Sequence, residues 1–184
     1  MTRGLVRFHQ SGQSHFLTFS CYRRQPNFSS PKLYELFLIT LEAMRQEFDL
    51  HVFGYVVMPE HVHLLLSEPK RQTLADAIHW LKQLFARRAQ SLRLVVESGH
   101  FWQRRYYDRN VRAPREFEAK LVYMHNNPVK RGLVKQAHQW TWSSCRHYLF
   151  REIGPVEIES EWTARERERK ITGGPERVFL SPTD

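Results

Sequence analysis

The chain has 184 residues, 41% of them apolar and 26% charged, a composition that excludes a disordered polypeptide. Two cysteines exclude a disulfide framework, and no apolar run approaches the ~18–20 residues of a membrane-spanning helix. The net charge of +9 and pI near 9.9 point to a polyanionic partner, nucleic acid above all.

The start of the chain, MTRGLVRFHQSGQSHF, is basic but has no apolar h-region, so no secretory signal is expected. Residues 16–22 (FLTFSCY) alternate and are rich in aromatic and β-branched side chains, which predicts a strand. Ser30 and Pro31 suit a helix start, and Leu33, Leu36, Phe37, Leu41, Met44 and Phe48 then recur on one helical face. LHVFGYVV (50–57) and HVHLLLS (61–67) read as two strands joined by a turn at Met58-Pro59-Glu60. Thr73 with Asp76 resembles a capped helix start, followed by the stripe Leu74, Ala77, Ile78, Leu81, Leu84, Phe85 and Leu92.

A fourth strand is expected near 105–111. Pro114 opens a helix carrying Phe117, Leu121 and Tyr123, which must stop or kink at Asn127 because Pro128 follows. The predicted order is strand, helix, strand, strand, helix, strand, helix. It describes an α+β protein with an antiparallel sheet of the split-βαβ sort and helices packed on it.

The basic excess is uneven. Residues 1–150 hold 22 basic and 11 acidic side chains, and residues 151–184 hold 6 and 8. We therefore expect a domain over 1–150 and a C-terminal extension over 151–184. The extension is expected to be loosely packed or partly disordered, with Trp162, Val178, Phe179 and Leu180 as candidate anchors. Residues 100–135 hold nine basic and three acidic side chains. Arg87, Arg88, Arg104, Arg105, Arg109, Arg112, Lys130 and Arg131 are candidate DNA contacts, since guanidinium groups suit phosphate.

Two local features carry chemistry. In a strand, His61 and His63 project from the same face and can share a divalent cation with a third ligand. A hydrogen-bonded histidine pair at a strand end has the same pattern. Tyr123 and Asn127 lie four apart on one helical face. Tyr123 can be a nucleophile or core, and Asn127-Pro128 can equally be a cap and first-turn proline. Tyr106 and Tyr107 are rival nucleophiles beside arginines.

Five segments, 16–28, 55–66, 101–112, 123–134 (YMHNNPVKRGLV) and 140–149 (WTWSSCRHYL), resemble the REP-associated tyrosine transposases in order and spacing. These belong to the single-tyrosine HUH transposases, and the resemblance covers roughly residues 8–150. It implies a ferredoxin-like fold, His61 and His63 as metal ligands, Asn127 as the third ligand, and Tyr123 as nucleophile. Glu60 receives no catalytic role. It further implies Mg²⁺ or Mn²⁺, single-stranded and REP-type hairpin DNA as partner, a 5′-phosphotyrosine intermediate, monomeric action and a cytoplasmic location. The competing readings are a non-catalytic nucleic-acid-binding module, with Phe101, Trp102, Tyr106 and Tyr107 stacking bases, and a metal nuclease that uses water.

Overall fold

The computed structural model describes residues 14–95 and 99–172. The candidate anchors Val178, Phe179 and Leu180 lie outside the described residues. Strand β1 (Ser14–Ser20) is followed by a 3₁₀ turn (Tyr22–Arg24) and helix α1 (Pro31–Glu47). Strands β2 (Val52–Val57) and β3 (His61–Ser67) form the hairpin, and helix α2 spans Leu74–Ser91. Strand β4 (Tyr107–Val111) precedes helix α3 (Pro114–His125) and the short helix α4 (Asn127–Lys130). Helices α5 (Cys145–Phe150) and α6 (Glu161–Thr172) complete the described chain.

The four strands form one antiparallel sheet in the order β2-β3-β1-β4. Among the described residues, no helix is long and apolar enough to cross a membrane. The mixed α+β architecture expected from the sequence is the one observed.

Strand alternation divides the side chains between two cores. Leu17, Phe19, Tyr55, Val57, Val62, Leu64 and Leu66 face α1 and α2 in the larger core. Phe16, Val56 and Leu65 face the other way, against Phe117, Leu121 and Met124 of α3. Helix α2 starts as its sequence requires. Thr73 accepts a hydrogen bond from the Asp76 backbone N–H, and Asp76 accepts one from that of Thr73. Leu92 caps the helix and is exposed, so the apolar stripe ends at Ala89.

Phe101 and Trp102, expected as exposed stacking surfaces, are buried instead. They pack edge-on against each other, and Phe101 packs edge-on against Phe85 and Phe28, on which Trp102 lies tilted. Dense arginine around them in sequence disguised a core segment, and the non-catalytic alternative loses those two platforms.

The segment after residue 150 is anchored by residues that the thin apolar pattern hid. Val156 and Ile158 are buried in the larger core, and Ile158 bridges Val52 in parallel. Glu159, also buried, forms an ion pair with Arg167 of α6. Trp162 stacks on His147 with ring centroids 4.8 Å apart.

Gly54 lets α3 approach β2 closely. A Cβ there would lie 2.7 Å from Leu121 Cδ2 and 3.1 Å from Met124 Sδ. Gly54→Val should therefore overpack the β2–α3 contact and lower stability by about 1–3 kcal/mol in urea unfolding. An unchanged midpoint would mean that α3 does not depend on this approach.

Candidate active site

His61 and His63 emerge from β3 on the face that α3 covers, while Val62 and Leu64 point into the larger core. In register, His63 pairs with Thr18 on β1, and Thr18 pairs with Tyr107 on β4. One row of side chains thus crosses three strands. The Nε2 atoms of His61 and His63 are 3.1 Å apart. The Nδ2 atom of Asn127, the first residue of α4, lies 3.1 Å from His63 Nε2. The cap position belongs to Asn126, so the Asn127 side chain is available to the histidines.

Each imidazole has a separate partner at its other nitrogen. Thr18 Oγ1 is 2.7 Å from His63 Nδ1. With Nδ1–H donating to Thr18, the His63 Nε2 lone pair faces the cleft. Glu60 Oε1 is 3.2 Å from His61 Nδ1, near enough for attraction but without hydrogen-bond alignment. Arg131 Nη2 donates to the same Glu60 oxygen at 2.7 Å.

Burial pushes the His63 imidazole down to about 3, and the His61 and Lys120 charges add to the shift. Burial also lowers His61, against the opposing pull of the Glu60 carboxylate. Both rings are neutral at pH 7, the form in which imidazole binds metal.

Two neutral rings with converging Nε2 atoms have one proton at most to place between them. Turning the Asn127 amide over would present its oxygen to the same point, since the two orientations are nearly isosteric. The residues present therefore fit a divalent cation. Among the described residues no three His, Cys, Asp or Glu side chains cluster, so a third donor beside the histidines would have to be an amide such as that of Asn127.

Tyr123, on α3, is 42% exposed. Its ring lies edge-on to His63, with centroids 5.6 Å apart, and edge-on to Phe16 at 6.0 Å. The ammonium groups of Lys120 and Lys130 stand 5.8 and 5.2 Å from the ring centroid. Tyr123, His61, His63 and Asn127 line one open cleft of about 510 Å³ with Arg24, Tyr107, Lys120, Lys130 and Arg131. Arg23 and Arg24 both have left-handed backbone, with φ of 52° and 54°, an uncommon conformation for residues other than glycine.

The structure thus brings together Tyr123, His61, His63, Asn127, Lys130 and Arg131. Arg109 lies two residues from Tyr107 on β4 and pairs with Glu116 at 2.6 Å. Arg112 is exposed just after β4. Arg104 and Arg105 are exposed in a loop that Lys82 tethers by donating to the Gln103 and Arg104 carbonyls. Arg87 and Arg88 are exposed on α2, a helix on the opposite face of the sheet, and do not line the cleft. Tyr106 is partly buried against the larger core, whereas Tyr107 opens into the cleft.

Sequence reasoning missed Thr18, Arg24 and Lys120. Lys120 stands three residues before Tyr123, a spacing that places both on one helical face. Thr18 alternates with Phe16, but its place beside His63 requires the strand register.

An HxH strand beneath a tyrosine-bearing helix, on a four-stranded antiparallel sheet, is the arrangement that the single-tyrosine HUH resemblance calls for. The family model for IS200-like transposases matches residues 9–127, and the chain belongs to that family of DNA transposases. It is similar to a REP-associated tyrosine transposase of Escherichia coli K12, at 22% identity over 158 residues, covering 85% of this chain and 91% of the relative. It is also similar to one from Haemophilus influenzae, at 29% identity over 119 residues, covering 60% and 67% respectively. These relatives bear out the resemblance to REP-associated tyrosine transposases. A REP-associated tyrosine transposase solved bound to a REP hairpin shares the fold, with TM-score 0.65 and 20% identity over 82% of this chain and 87% of that one.

Helix α3 is held at its end by His125, whose Nε2 is 2.9 Å from Ser144 Oγ. Ser144 Oγ in turn accepts from the Tyr55 backbone N–H at 3.0 Å. Burial, reinforced by His147, pushes the His125 imidazole down to about 4. Below pH ~6.5 the unfolded chain protonates this residue while the folded chain does not. The stability that His125 contributes is present above pH ~6.5 and lost as pH falls toward 4. The loss should be on the order of 3 kcal/mol, and His125→Gln should remove that part of the pH dependence in denaturant titrations at pH 7.5 and 4.5.

Proposed function

We propose that this transposase cleaves and rejoins single-stranded DNA beside REP-type hairpins, with Tyr123 as nucleophile and a divalent cation held by His61, His63 and Asn127. The observation that carries this reading is the contact of the Tyr123 ring with His63, whose Nε2 lies 3.1 Å from both His61 Nε2 and Asn127 Nδ2. The hairpin substrate is carried over from the solved relative, which holds a REP hairpin.

The Tyr123 oxygen forms a bond to phosphorus, and the bond from phosphorus to the 3′ oxygen breaks. The products are a 5′-phosphotyrosine and a free 3′-OH. The phenol proton passes through solvent to the departing 3′ oxygen. The number of phosphoester bonds is unchanged, so the step can run backwards and join a different 3′ end. A cation at the three ligands would polarise the phosphate and offset its developing charge.

Thr18 holds the His63 imidazole by hydrogen bonding, and Glu60, fixed by Arg131, lies beside His61 Nδ1. Lys120, Lys130 and Arg24 supply positive charge around the phosphate. Arg104, Arg105, Arg109 and Arg112 extend that charge beyond the cleft, while Arg87 and Arg88, on the other face of the sheet, would meet DNA only outside it. We read the transposase as acting in the cytoplasm as a monomer, with Tyr123 meeting the histidines of its own chain. Two imidazoles rank a first-row transition ion such as Mn²⁺ above Mg²⁺, which prefers oxygen ligands.

Tyr123→Phe should abolish the covalent protein–DNA adduct on denaturing gels and leave hairpin binding within a few-fold. An adduct that persists would move the nucleophile elsewhere, with Tyr107 the first candidate in the cleft. Thr18→Val should keep the fold but weaken Mn²⁺ binding roughly 10–100-fold by titration calorimetry, because His63 loses the partner that fixes its ring. Undiminished affinity would remove Thr18 from the ligand support.

A further inference from the structure

We propose that Tyr107 is a stacking platform for one unpaired nucleobase of the DNA strand in the cleft. This rests on the reading of the cleft as a single-stranded DNA site and adds a subsite to it.

Tyr107 opens strand β4, which forms one edge of the sheet. It pairs with Thr18, which pairs with His63, so its side chain rises from the same face as the histidines. Two strand spacings, about 10 Å, separate the His63 and Tyr107 positions. A strand whose phosphate sits at His61 and His63 can therefore extend along this row toward the β4 edge.

The tyrosine is built differently from the other aromatic side chains near it. Phe16 is buried and stacks on His63, with centroids 5.4 Å apart, so its faces are occupied. Phe101 and Trp102 are core residues. Tyr107 is 52% exposed, belongs to neither core and still lines the cleft. Arg109, two residues along the same face, is engaged by Glu116, to which its Nε donates. No aromatic partner covers the Tyr107 ring among the described residues, and the ring is open to the cleft. An exposed aromatic surface beside free phosphate-binding cations is what sequence-tolerant recognition of an unpaired base requires. Lys120, Lys130 and Arg24 supply those cations in the same cleft.

The ligand is the flat face of a base, so the ring matters and the hydroxyl does not. That distinguishes this role from a nucleophilic or proton-transferring Tyr107. Single-stranded oligonucleotides from the DNA flanking the coding region, extended past their hairpin, serve as the probe. Binding is measured with the full chain in excess chelator, where no turnover contributes. Tyr107→Ala should weaken binding roughly five- to hundredfold, and Tyr107→Phe should stay within threefold of wild type. An abasic nucleotide scanned along the strand should weaken wild-type binding at one position, and that position should become neutral in Tyr107→Ala.

Thermal unfolding of the variants provides the control for folding. Because the side chain is half exposed on an edge strand, both should melt near wild type. Equal binding by wild type and Tyr107→Ala, or an equal loss in the Phe and Ala variants, would overturn the stacking role. So would an abasic profile that Tyr107→Ala leaves unchanged. If the wild-type protein does not hold these strands at all, the DNA reading of the cleft falls, and the stacking role falls with it.

Discussion

Helix α3 can lie close against the sheet because residue 54 has no side chain to hold it away. Leu121 and Met124 fill the space above Gly54, and Ser144 closes it with a hydroxyl that would sit 3.3 Å from a Cβ there. That seating fixes the height of the helix, and with it the height of Tyr123 above β3. The period of the strand then does the rest. Two histidines two residues apart must share a face, and α3 covers the face they share. A one-residue slip of β3 would turn both imidazoles into the larger core and leave Tyr123 facing Val62 and Leu64. The hydrophobic pattern opposes such a slip, because it would also bring Leu65 to the wrong face.

Charge is distributed to the same end. Several cations remote from the cleft are paired within the chain. Arg45 pairs with Glu42 and Glu157, Arg146 with Glu152, and Arg167 with Glu159. At the cleft, Lys120 and Lys130 stand against the Tyr123 ring and Arg24 lies beside them, with no carboxylate at ion-pair distance among the described residues. Leaving cations unneutralised there favours an anionic ligand and makes binding strongly dependent on salt. Glu60 is an acidic group at this end, and its charge is paired with Arg131.

Much of this was legible in the sequence because periodicity and capping are local. The strands at 52–57 and 61–67, the Thr73 capping box and the Pro114 helix start all depend on neighbours within a few residues. His61, His63, Tyr123 and Asn127 were singled out for the same reason, since strand and helix periods fix which side chains share a face. What could not be read depends on pairings distant in sequence. Thr18 meets His63 through a register between strands 45 residues apart. Arg87 and Arg88 were picked by charge, and which face of the sheet they occupy follows only from the packing of α2. Phe101 and Trp102 were misread because flanking arginines suggested a surface. Val156 and Ile158 were overlooked because two apolar residues in a polar stretch carry no period.

The central claim is that one chain assembles its own nucleophile and its own metal ligands. It is tested most directly by mixing two inactive variants, His63→Ala and Tyr123→Phe, and assaying cleavage of a hairpin-flanked single strand with wild-type protein as the positive control. A site assembled within one chain predicts that the mixture, co-expressed or co-refolded, stays as inactive as its components. Cleavage restored in the mixture would show that α3 of one copy serves the histidines of another, and would contradict the account.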